Sequence, residues 1–438
     1  MFICTNTVKS DWPCLFAMPC TCDYVRRGVY CTNNGLNGIP SYINYIDGPW
    51  HMDFSNNNLT TLPKRAFGNV TVSSLILSNN KLQAIEDGAL EGSEDSIYSI
   101  YLDGNSLELV PKEVGKLRKL TEMYLERNPL KIFDEVVFKN ISDKLSTIVF
   151  GSQEMTEWPN AVSLLHNLYD MTIENTAFET IPDDAFSSLK NIFDLTLTST
   201  SVRALPTSLQ HTKLFKLTLN GNKNLREEGF PPAAFKNQTE FRQFYINDGA
   251  LETLPPIFAE MPVLAVFDLT NTPLRYINDS VFPKNFSNIF FEFSSKHSFF
   301  TGIPPILSKT SSLSNIFLNN NTIQYINDTD FTGNNQLFEL DLSGNPITEV
   351  SNDAFKHNSG LYELHLDNTE LTTIPKAIQN PNKLREIHLS NTKIACTCQN
   401  LGWMKYWTKR TENFEIYGNC YNSDMTFSDY LKNEIPKC

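Results

Sequence analysis

Apolar and polar positions recur along this chain in one fixed frame: apolar, any, apolar, two of any kind, Asn, any, apolar. The frame is clear at Leu75-Leu77-Asn80-Leu82 and again at Leu340-Leu342-Asn345-Ile347. Its last apolar position recurs about every 24 residues. These positions are Leu59, Leu82, Leu107, Leu130, Met155, Phe178, Val202, Leu225, Leu251, Leu274, Phe300, Ile323, Ile347, Leu371 and Ile394. The alternating pair predicts a short strand with one face turned inward in every unit.

The frame and its period resemble those of leucine-rich-repeat proteins. The resemblance implies an α/β solenoid: a horseshoe of about 15 repeats with a parallel β-sheet on its concave side. Each strand would be covered by its neighbours, because no repeat can bury its apolar face alone. The second half of many units carries a further anchor, which we expect to form a buried spine. These residues are Phe67, Phe138, Phe186, Phe235, Phe282, Phe331 and Phe355.

The Asn of the frame can satisfy backbone groups that stacking would otherwise bury without partners. Other residues hold this position in about half of the units: Gln153, Thr176, Thr200, Gly249, Thr272, Ser298, Thr369 and Thr392. Since a hydroxyl replaces only part of what an amide offers, we expect a thinner ladder of hydrogen bonds in the middle of the chain and near its end.

Charge excludes two classes of partner. The chain has 36 basic and 49 acidic residues, a formal net charge of −13. Nucleic acid needs Lys and Arg to neutralise its phosphates, and anionic lipid attracts basic surfaces. No apolar stretch is long enough to span a membrane. We therefore expect neither nucleic-acid binding nor a membrane span in this chain.

The nine cysteines cluster at the two ends, with Cys14, Cys20, Cys22 and Cys31 near the start and Cys396, Cys398, Cys420 and Cys438 near the end. Such clustering indicates two disulfide-bonded modules, although spacing alone leaves the connectivity open. The first group, followed by Leu36 and Ile39-Pro40, resembles the N-terminal cap of extracellular leucine-rich-repeat proteins, and the second group with Trp403 resembles their C-terminal cap. The resemblance implies the pairs Cys14–Cys22, Cys20–Cys31, Cys396–Cys420 and Cys398–Cys438. Cys4 is left over, either as a free thiol or as a link to another chain.

Asn-x-Ser/Thr sequons point to the same oxidising compartment, at Asn58, Asn69, Asn140, Asn237, Asn278, Asn285, Asn320 and Asn327. We expect an extracellular protein, secreted or on the cell surface. No signal peptide is visible before Ser10, so we expect a mature or trimmed chain. The predicted domains are a tail (1–13), an N-terminal cysteine cap (14–45), the repeats (46–394) and a C-terminal cysteine cap (395–438).

The segment from Cys420 through Phe427, Asp429 and Leu431 to Cys438 is similar to the C-terminal cap of a group of arthropod leucine-rich-repeat proteins. Those proteins are labelled as similar to the non-catalytic subunit of the oplophorus luciferase. Pro13-Cys14 and Pro19-Cys20-Thr21-Cys22 fit the same group. This resemblance covers only the caps and implies no enzyme activity.

No catalytic motif is present in the sequence, and we expect neither an enzyme nor a cofactor. The side chains that flank the paired apolar residues point away from the core into the hollow. Acids dominate these positions, and only Lys216 and Lys296 oppose them. Calcium bound by such carboxylates is conceivable, but the repeat itself generates a column of acids, so we assign no metal site. Polar residues are also what keeps an exposed sheet soluble, so the acids alone do not require a ligand.

The functional alternative is an acidic concave face that steers a basic protein partner, with aromatic side chains beside the charges as anchors. The candidate binding residues are Tyr101, Asp103, Glu122, Tyr124, Glu126, Glu174, Asp194, Tyr245, Asp268, Asp341, Glu363, His365 and Asp367. We expect a protein-recognition module: a receptor ectodomain, an adhesion protein or a secreted immune binder. The other candidate function is a non-catalytic accessory subunit that stabilises another secreted protein. The sequence indicates no oligomeric state.

Overall fold

The computed structural model describes residues 14–42, 48–282, 290–407 and 414–438. Its contacts divide the chain into two units, Met1–Phe193 and Asp194–Cys438, and each unit is treated separately below. The predicted tail (1–13) with Cys4, and the sequon at Asn285, lie outside the described residues.

The first unit is built on a sheet of short parallel strands, one to a repeat. Its strands are β1 (Thr21–Asp23), β2 (Gly28–Tyr30), β3 (Trp50–Asp53), β4 (Thr61–Leu62), β5 (Val72–Ile76), β6 (Ala84–Ile85), β7 (Ser99–Tyr101), β8 (Glu122–Tyr124), β9 (Thr147–Phe150) and β10 (Asp170–Glu174). The parallel order is β2, β3, β5, β7, β8, β9, β10. Strand β1 pairs antiparallel with β2, and β4 pairs with β6 in a separate small sheet.

The second unit repeats this architecture. Its strands are β11 (Asp194–Thr198), β12 (Lys216–Asn220), β13 (Gln243–Tyr245), β14 (Val266–Asp268), β15 (Glu292–Ser294), β16 (Asn315–Phe317), β17 (Tyr325–Ile326), β18 (Glu339–Asp341), β19 (Glu349–Val350), β20 (Glu363–His365), β21 (Glu386–His388) and β22 (Glu415–Tyr417). All but β17 and β19 form one parallel series in chain order. Strands β17 and β19 form a small sheet of their own.

Helices are short and lie between the strands. The α-helices are α1 (Glu135–Ile141), α2 (Cys398–Leu401), α3 (Met404–Trp407) and α4 (Phe427–Asn433). The 3-10 helices are Lys112–Lys116, Asn160–Leu164, Thr207–His211, Glu227–Gly229, Pro232–Phe235, Phe258–Glu260, Asp279–Val281, Leu307–Lys309, Lys376–Gln379 and Ile435–Lys437. Within the described residues, no helix has the length and apolar character that crossing a bilayer requires.

Register explains why one face of each sheet is apolar. Ile100 pairs with Leu75 on one side and Met123 on the other, and all three side chains are fully buried. On the other face, Ile76, Tyr101, Glu122 and Tyr124 are partly exposed, whereas Ser74 and Ser99 are buried. The face that these partly exposed side chains form is called the solvent face of the sheet below. The seven predicted spine phenylalanines, from Phe67 to Phe355, are all buried behind the sheets.

The frame Asn ties neighbouring repeats together. The amide nitrogen of Asn105 donates to the carbonyl oxygens of Leu77 and Leu102, both at 2.9 Å. Its oxygen accepts from the backbone N–H of Leu82, also at 2.9 Å. One buried side chain therefore satisfies three backbone groups in two repeats.

The hydroxyl substitutes do less, as the sequence predicts. The hydroxyl of Thr176 is buried and has no hydrogen-bond partner among the described residues, whereas that of Thr272 donates to the carbonyl of Ile246 at 2.9 Å. The assignment of Gln153 to this ladder is wrong: its side chain is exposed and donates to Asn175 at 2.6 Å. Ser152 is the buried polar residue of that repeat instead.

The reason for this exception is a close approach of two strands. Gly151 has φ +155°, and a Cβ at this position would lie 1.6 Å from the carbonyl oxygen of Glu174. Only glycine allows that backbone to pass so near its neighbour. The altered path turns Ser152 inward and Gln153 outward.

Each end of the described chain is held by two disulfides: Cys14–Cys22 and Cys20–Cys31 at the start, Cys396–Cys420 and Cys398–Cys438 at the end. These are the pairs that the resemblance to extracellular caps implies. Each disulfide region also adds a strand to its sheet, since β2 pairs with β3 and β22 pairs with β21. The caps thus cover strand edges that would otherwise be unpaired.

Candidate functional site

Two groups of aromatic and acidic side chains stand out on the solvent faces, one in each unit. The first, called the tyrosine cluster, consists of Tyr101, Asp103, Glu122, Tyr124 and Glu126. Strands β7 and β8 pair Tyr101 directly with Tyr124. Their rings stack with centroids 4.3 Å apart and planes 4° from parallel. Such a pair is a rigid, half-buried platform with polar edges.

Burial shifts the proton affinities of this cluster. It is the main cause that raises the pKa of Tyr124 to about 12, followed by the charges of Tyr101 and Glu122. Burial also raises the pKa of Glu126 to about 7, with the carboxylates of Asp103 and Glu174 as further causes. One oxygen of Glu126 is buried without a hydrogen-bond partner among the described residues.

Asp103 differs from the other acids of the cluster because it is already paired. It is only 7% exposed, and it accepts hydrogen bonds from the hydroxyl of Ser78 and the guanidinium of Arg127. Asp103 therefore contributes to the local electrostatic field more than to direct contact with a partner protein. Glu122 and Glu174 remain half-buried on the solvent face.

Three of the predicted residues lie on the first strands of the second unit. Asp194 forms an ion pair with Lys216, its partner across β11 and β12, at 2.9 Å. Tyr245 pairs with Asp268 across β13 and β14. Burial raises the pKa of Tyr245, and the nearby Glu292 contributes in the same direction. Glu292 was not among the candidates, although it holds the same kind of solvent-face position.

The second group, called the histidine cluster, consists of Glu363, His365, Asp367, Glu386 and His388. Strands β20 and β21 pair Glu363 with Glu386 and His365 with His388. The imidazole rings stack at 4.2 Å between centroids with planes 18° apart. The stack continues to Tyr417 on β22, whose ring centroid lies 4.5 Å from that of His388.

Hydrogen bonds and charge surround the imidazoles. The Nε2 of His365 lies 2.8 Å from a carboxylate oxygen of Glu363, and its Nδ1 lies 4.0 Å from a carboxylate oxygen of Asp367. Burial, and then the neighbouring His365, lower the pKa of His388. Burial and the carboxylate of Glu363 raise the pKa of Glu339 on β18. Asp341 pairs with His365 across β18 and β20 and accepts a hydrogen bond from the backbone N–H of Ser343.

Tyr417 is absent from the candidate binding residues. Glu386 and His388 belong to the second acidic cluster that the sequence indicates near its C-terminal end, with Asp341, Glu363, His365 and Asp367, although the list of binding residues does not include them. His388 and Glu386 carry the same signal as His365 and Glu363, because they flank the apolar Ile387 in the repeat frame. Tyr417 carries only the weak signal of Glu415-Ile416-Tyr417, a single alternation beyond the last repeat.

Two family models match the chain. The one described as "Leucine rich repeat" matches residues 70–130, 296–347 and 339–394, and the one described as "BspA type Leucine rich repeat region (6 copies)" matches residues 160–289. Together they match more than half of the chain, in agreement with the repeats, strands and ladder described above. The chain is a leucine-rich-repeat protein.

Relatives and solved structures agree with this family. Human keratocan is 33% identical to the chain over 102 residues, which are 22% of this chain and 27% of keratocan. The match thus spans about a quarter of the length of keratocan. Among solved structures, a leucine-rich-repeat protein of Leptospira interrogans has a TM-score of 0.69 at 19% identity, covering 89% of this chain and 95% of that one.

Two further structures, both of complexes, share the fold. The Toll–Spatzle complex of Drosophila matches with a TM-score of 0.63 at 18% identity, covering 87% of this chain and 55% of that chain. A plant peptide hormone receptor, RGFR1 in complex with RGF2, matches with a TM-score of 0.51 at 19% identity, covering 84% and 62%. At these identities the similarity concerns the fold alone.

Proposed function

We propose that this protein is an extracellular recognition module that binds a basic segment of a partner protein on the acidic solvent face. The observation that carries the proposal is the crowding of carboxylates with few cations between them. Burial raises the pKa of Glu126 to about 7 and also raises the pKa values of Glu292 and Glu339, and neighbouring carboxylates add to each shift. A Lys or Arg from a partner would relieve this repulsion.

The class of protein supports a binding role. Leucine-rich-repeat neighbours of this chain include receptors solved together with their ligands, Toll with Spatzle and a plant receptor with a peptide hormone. The stacked tyrosines beside Glu122 give a rigid aromatic anchor next to charge, which is a common composition of binding hot spots. On this proposal the chain is a binder and not an enzyme.

The proposed extracellular location rests on the disulfides and sequons. The chain has four disulfides. Disulfides form and persist in oxidising compartments. Six of the seven described sequon asparagines are exposed, and Asn58 is half-buried. We expect glycans at the exposed sites, measured as a mass decrease on enzymatic deglycosylation.

Charge reversal on the solvent face tests the proposed function. We expect the double variant Glu122→Lys/Glu174→Lys to bind a panel of Lys/Arg-rich peptides about 10-fold to 100-fold more weakly than the wild type, as measured by biolayer interferometry. The matched control is Glu154→Lys/Glu157→Lys, which makes the same change in net charge at two exposed residues between β9 and β10. Binding by the wild type should also weaken with salt as the charges are screened.

The control decides between a site and a general charge effect. If both double variants lose affinity equally, net charge and not the solvent face governs binding. If the peptides bind with the same affinity in low and high salt, the acidic face is not the site.

The alternative is a non-catalytic accessory subunit, favoured by the similarity of the segment from Cys420 to Cys438 to the caps of the arthropod proteins. It predicts a fixed partner that co-purifies with the native protein at constant stoichiometry. Purification from the source tissue under mild salt, followed by mass spectrometry of the complex, distinguishes the two functions.

A further inference from the structure

The side chains of Glu363, His365 and His388 bring three potential ligand atoms close together. The Nε2 of His365 lies 2.8 Å from Oε1 of Glu363, and the Nε2 of His388 lies 3.7 Å from the same oxygen. One ligand atom from each of the three residues falls within 4.8 Å of the others. The pairing of β20 with β21 fixes this arrangement, because it places both histidines side by side on the solvent face.

One of these atoms lacks a partner. The Nε2 of His388 is shielded from solvent and makes no hydrogen bond to any described residue. A shielded imidazole nitrogen without a partner costs free energy, and its lone pair is free to bind a cation.

The surroundings resemble the second layer of a metal site. The Nδ1 of His365 lies 4.0 Å from a carboxylate oxygen of Asp367, which is too far for a hydrogen bond. If this distance shortens on metal binding, Asp367 takes the place of the carboxylate that orients a metal-binding imidazole. Asp367 is itself held by a hydrogen bond from the backbone N–H of Ser390 at 2.6 Å. Glu339 and Glu386 lie 3.9 and 4.0 Å from the imidazoles of His365 and His388, so the local charge favours a divalent cation.

The ligand types select the class of metal. Calcium and magnesium take oxygen ligands, whereas two imidazoles with one carboxylate suit zinc and its neighbours in the first transition series. Ligand atoms around a tetrahedral zinc ion are about 3.4 Å apart. The pair of atoms at 2.8 Å would have to move apart by roughly 0.6 Å, and no pair exceeds 4.8 Å, so no separation has to change by more than about 1.4 Å. The two rings are stacked with planes 18° apart, so the imidazoles have to tilt away from each other's planes for both Nε2 lone pairs to reach one ion.

We propose that Glu363, His365 and His388 form a binding site for one zinc-class divalent cation, with its fourth position open to water. The inference does not depend on the proposed partner, since binding of the metal alone tests it. Such a site would join two neighbouring repeats through a shared metal ion on the solvent face.

Titration of the chelator-treated protein with zinc chloride tests the site. We expect one zinc ion per chain by isothermal titration calorimetry, and excess calcium should not displace it. The variants His388→Ala and Glu363→Gln should each weaken binding by more than about 100-fold, since each removes a direct ligand. Asp367→Asn should weaken it about 10-fold to 100-fold, as expected for a second-layer residue. Cobalt(II) should give the intense visible absorption of a tetrahedral complex.

His51→Ala is the matched control. His51 also lies on the solvent face, on β3, where its ring centroid is 6.0 Å from that of Tyr30. The substitution His51→Ala should leave the zinc affinity unchanged. Circular dichroism of every variant verifies the fold, and the isosteric Glu363→Gln remains informative if His388→Ala unfolds. Zinc binding that survives both ligand variants, displacement by calcium, or no stoichiometric binding would each overturn the proposal and leave a hydrogen-bonded polar cluster.

Discussion

The tyrosine cluster of the first unit and the histidine cluster of the second occupy the same positions of the repeat. Glu122, Tyr124 and Glu126 fill three successive solvent-face positions of one repeat, and Glu363, His365 and Asp367 fill the same three in another. In both clusters the central ring stacks on the ring of the paired strand, at 4.3 Å between the tyrosines and 4.2 Å between the histidines.

The difference lies in what the central ring can do. A phenol whose pKa is about 12, like that of Tyr124, stays protonated in physiological conditions and offers a hydroxyl and a flat face. An imidazole of the same stack offers a nitrogen lone pair to a cation. The repeat frame therefore determines where side chains converge, and the central residue determines the chemistry that they perform.

The two clusters also differ in their backbone support. The frame position that follows each strand is Asn105 and Asn128 beneath the tyrosine cluster, and Thr369 and Thr392 beneath the histidine cluster. Asn128 donates to two buried carbonyl groups and accepts from the N–H of Leu107. Thr369 donates to the carbonyl of Leu366 alone among the described contacts, at 2.8 Å.

The largest expected difference between the two clusters is the loss of stability when this backbone support is removed. We expect Asn105→Ala to lower the free energy of unfolding by about 3 kcal/mol, because three buried hydrogen bonds are lost and the backbone N–H of Leu82 loses the side chain that accepts from it. Thr369→Val keeps the shape and breaks one hydrogen bond, so it should cost about 1 kcal/mol or less. Chemical denaturation monitored by circular dichroism measures both values. Equal losses would mean that the amide ladder gives the first cluster no additional stability.

Glu126 should make the stability of the tyrosine cluster depend on pH. The folded protein raises the pKa of this carboxyl from 4.5 to about 7, chiefly by burial. The folded state thus holds this proton more tightly than the unfolded chain does, and its stabilising effect is lost as pH rises through about 7. After allowance for screening by solvent, we expect Glu126→Gln to be about 1–2 kcal/mol more stable than the wild type at pH 8.

The same two proteins should have nearly equal stability at pH 5, where Glu126 is protonated. Denaturation curves at pH 5 and pH 8 give the comparison, and Glu154→Gln reports the effect of removing an exposed carboxylate. A difference that does not change between the two pH values would show that Glu126 ionises normally.

The smallest effect on stability should follow from removing the hydroxyl of one tyrosine. Tyr124→Phe keeps the stack, so we expect a change of less than about 1 kcal/mol in stability at pH 7. Its alkaline absorbance titration should lose a tyrosine that ionises near pH 12 and keep the main step near pH 10. If the lost tyrosine ionises in the main step, the ring of Tyr124 is more accessible than its burial implies.

The sequence predicts the strands and their solvent-face residues because alternation and a regular spacing determine both. It could not predict the pairing of Asp103 with Ser78 and Arg127, since that depends on side-chain rotamers. Nor could it predict that Ser152 and not Gln153 turns inward, because this follows from the close approach at Gly151.

The proximity of the two imidazole nitrogens to Glu363 likewise depends on ring orientation, which spacing does not determine. For this reason the sequence assigns no metal to Glu363, His365 and His388, whereas the structure makes these three residues a candidate metal site. The predicted boundary between the repeats and the C-terminal cap, at residues 394 and 395, stays a prediction.

The strand that the C-terminal disulfide region adds to the sheet affects how shortened forms of this protein should be designed. A truncation after Ile394, where the repeat frame ends, would delete β22 and leave the backbone of β21 without its neighbour. It would also remove Tyr417 from the ring of His388 and delete both disulfides of the C-terminal region, Cys396–Cys420 and Cys398–Cys438. Such a fragment would expose a free strand edge able to recruit other chains into aggregates, so a stable minimal version needs to extend to Cys438.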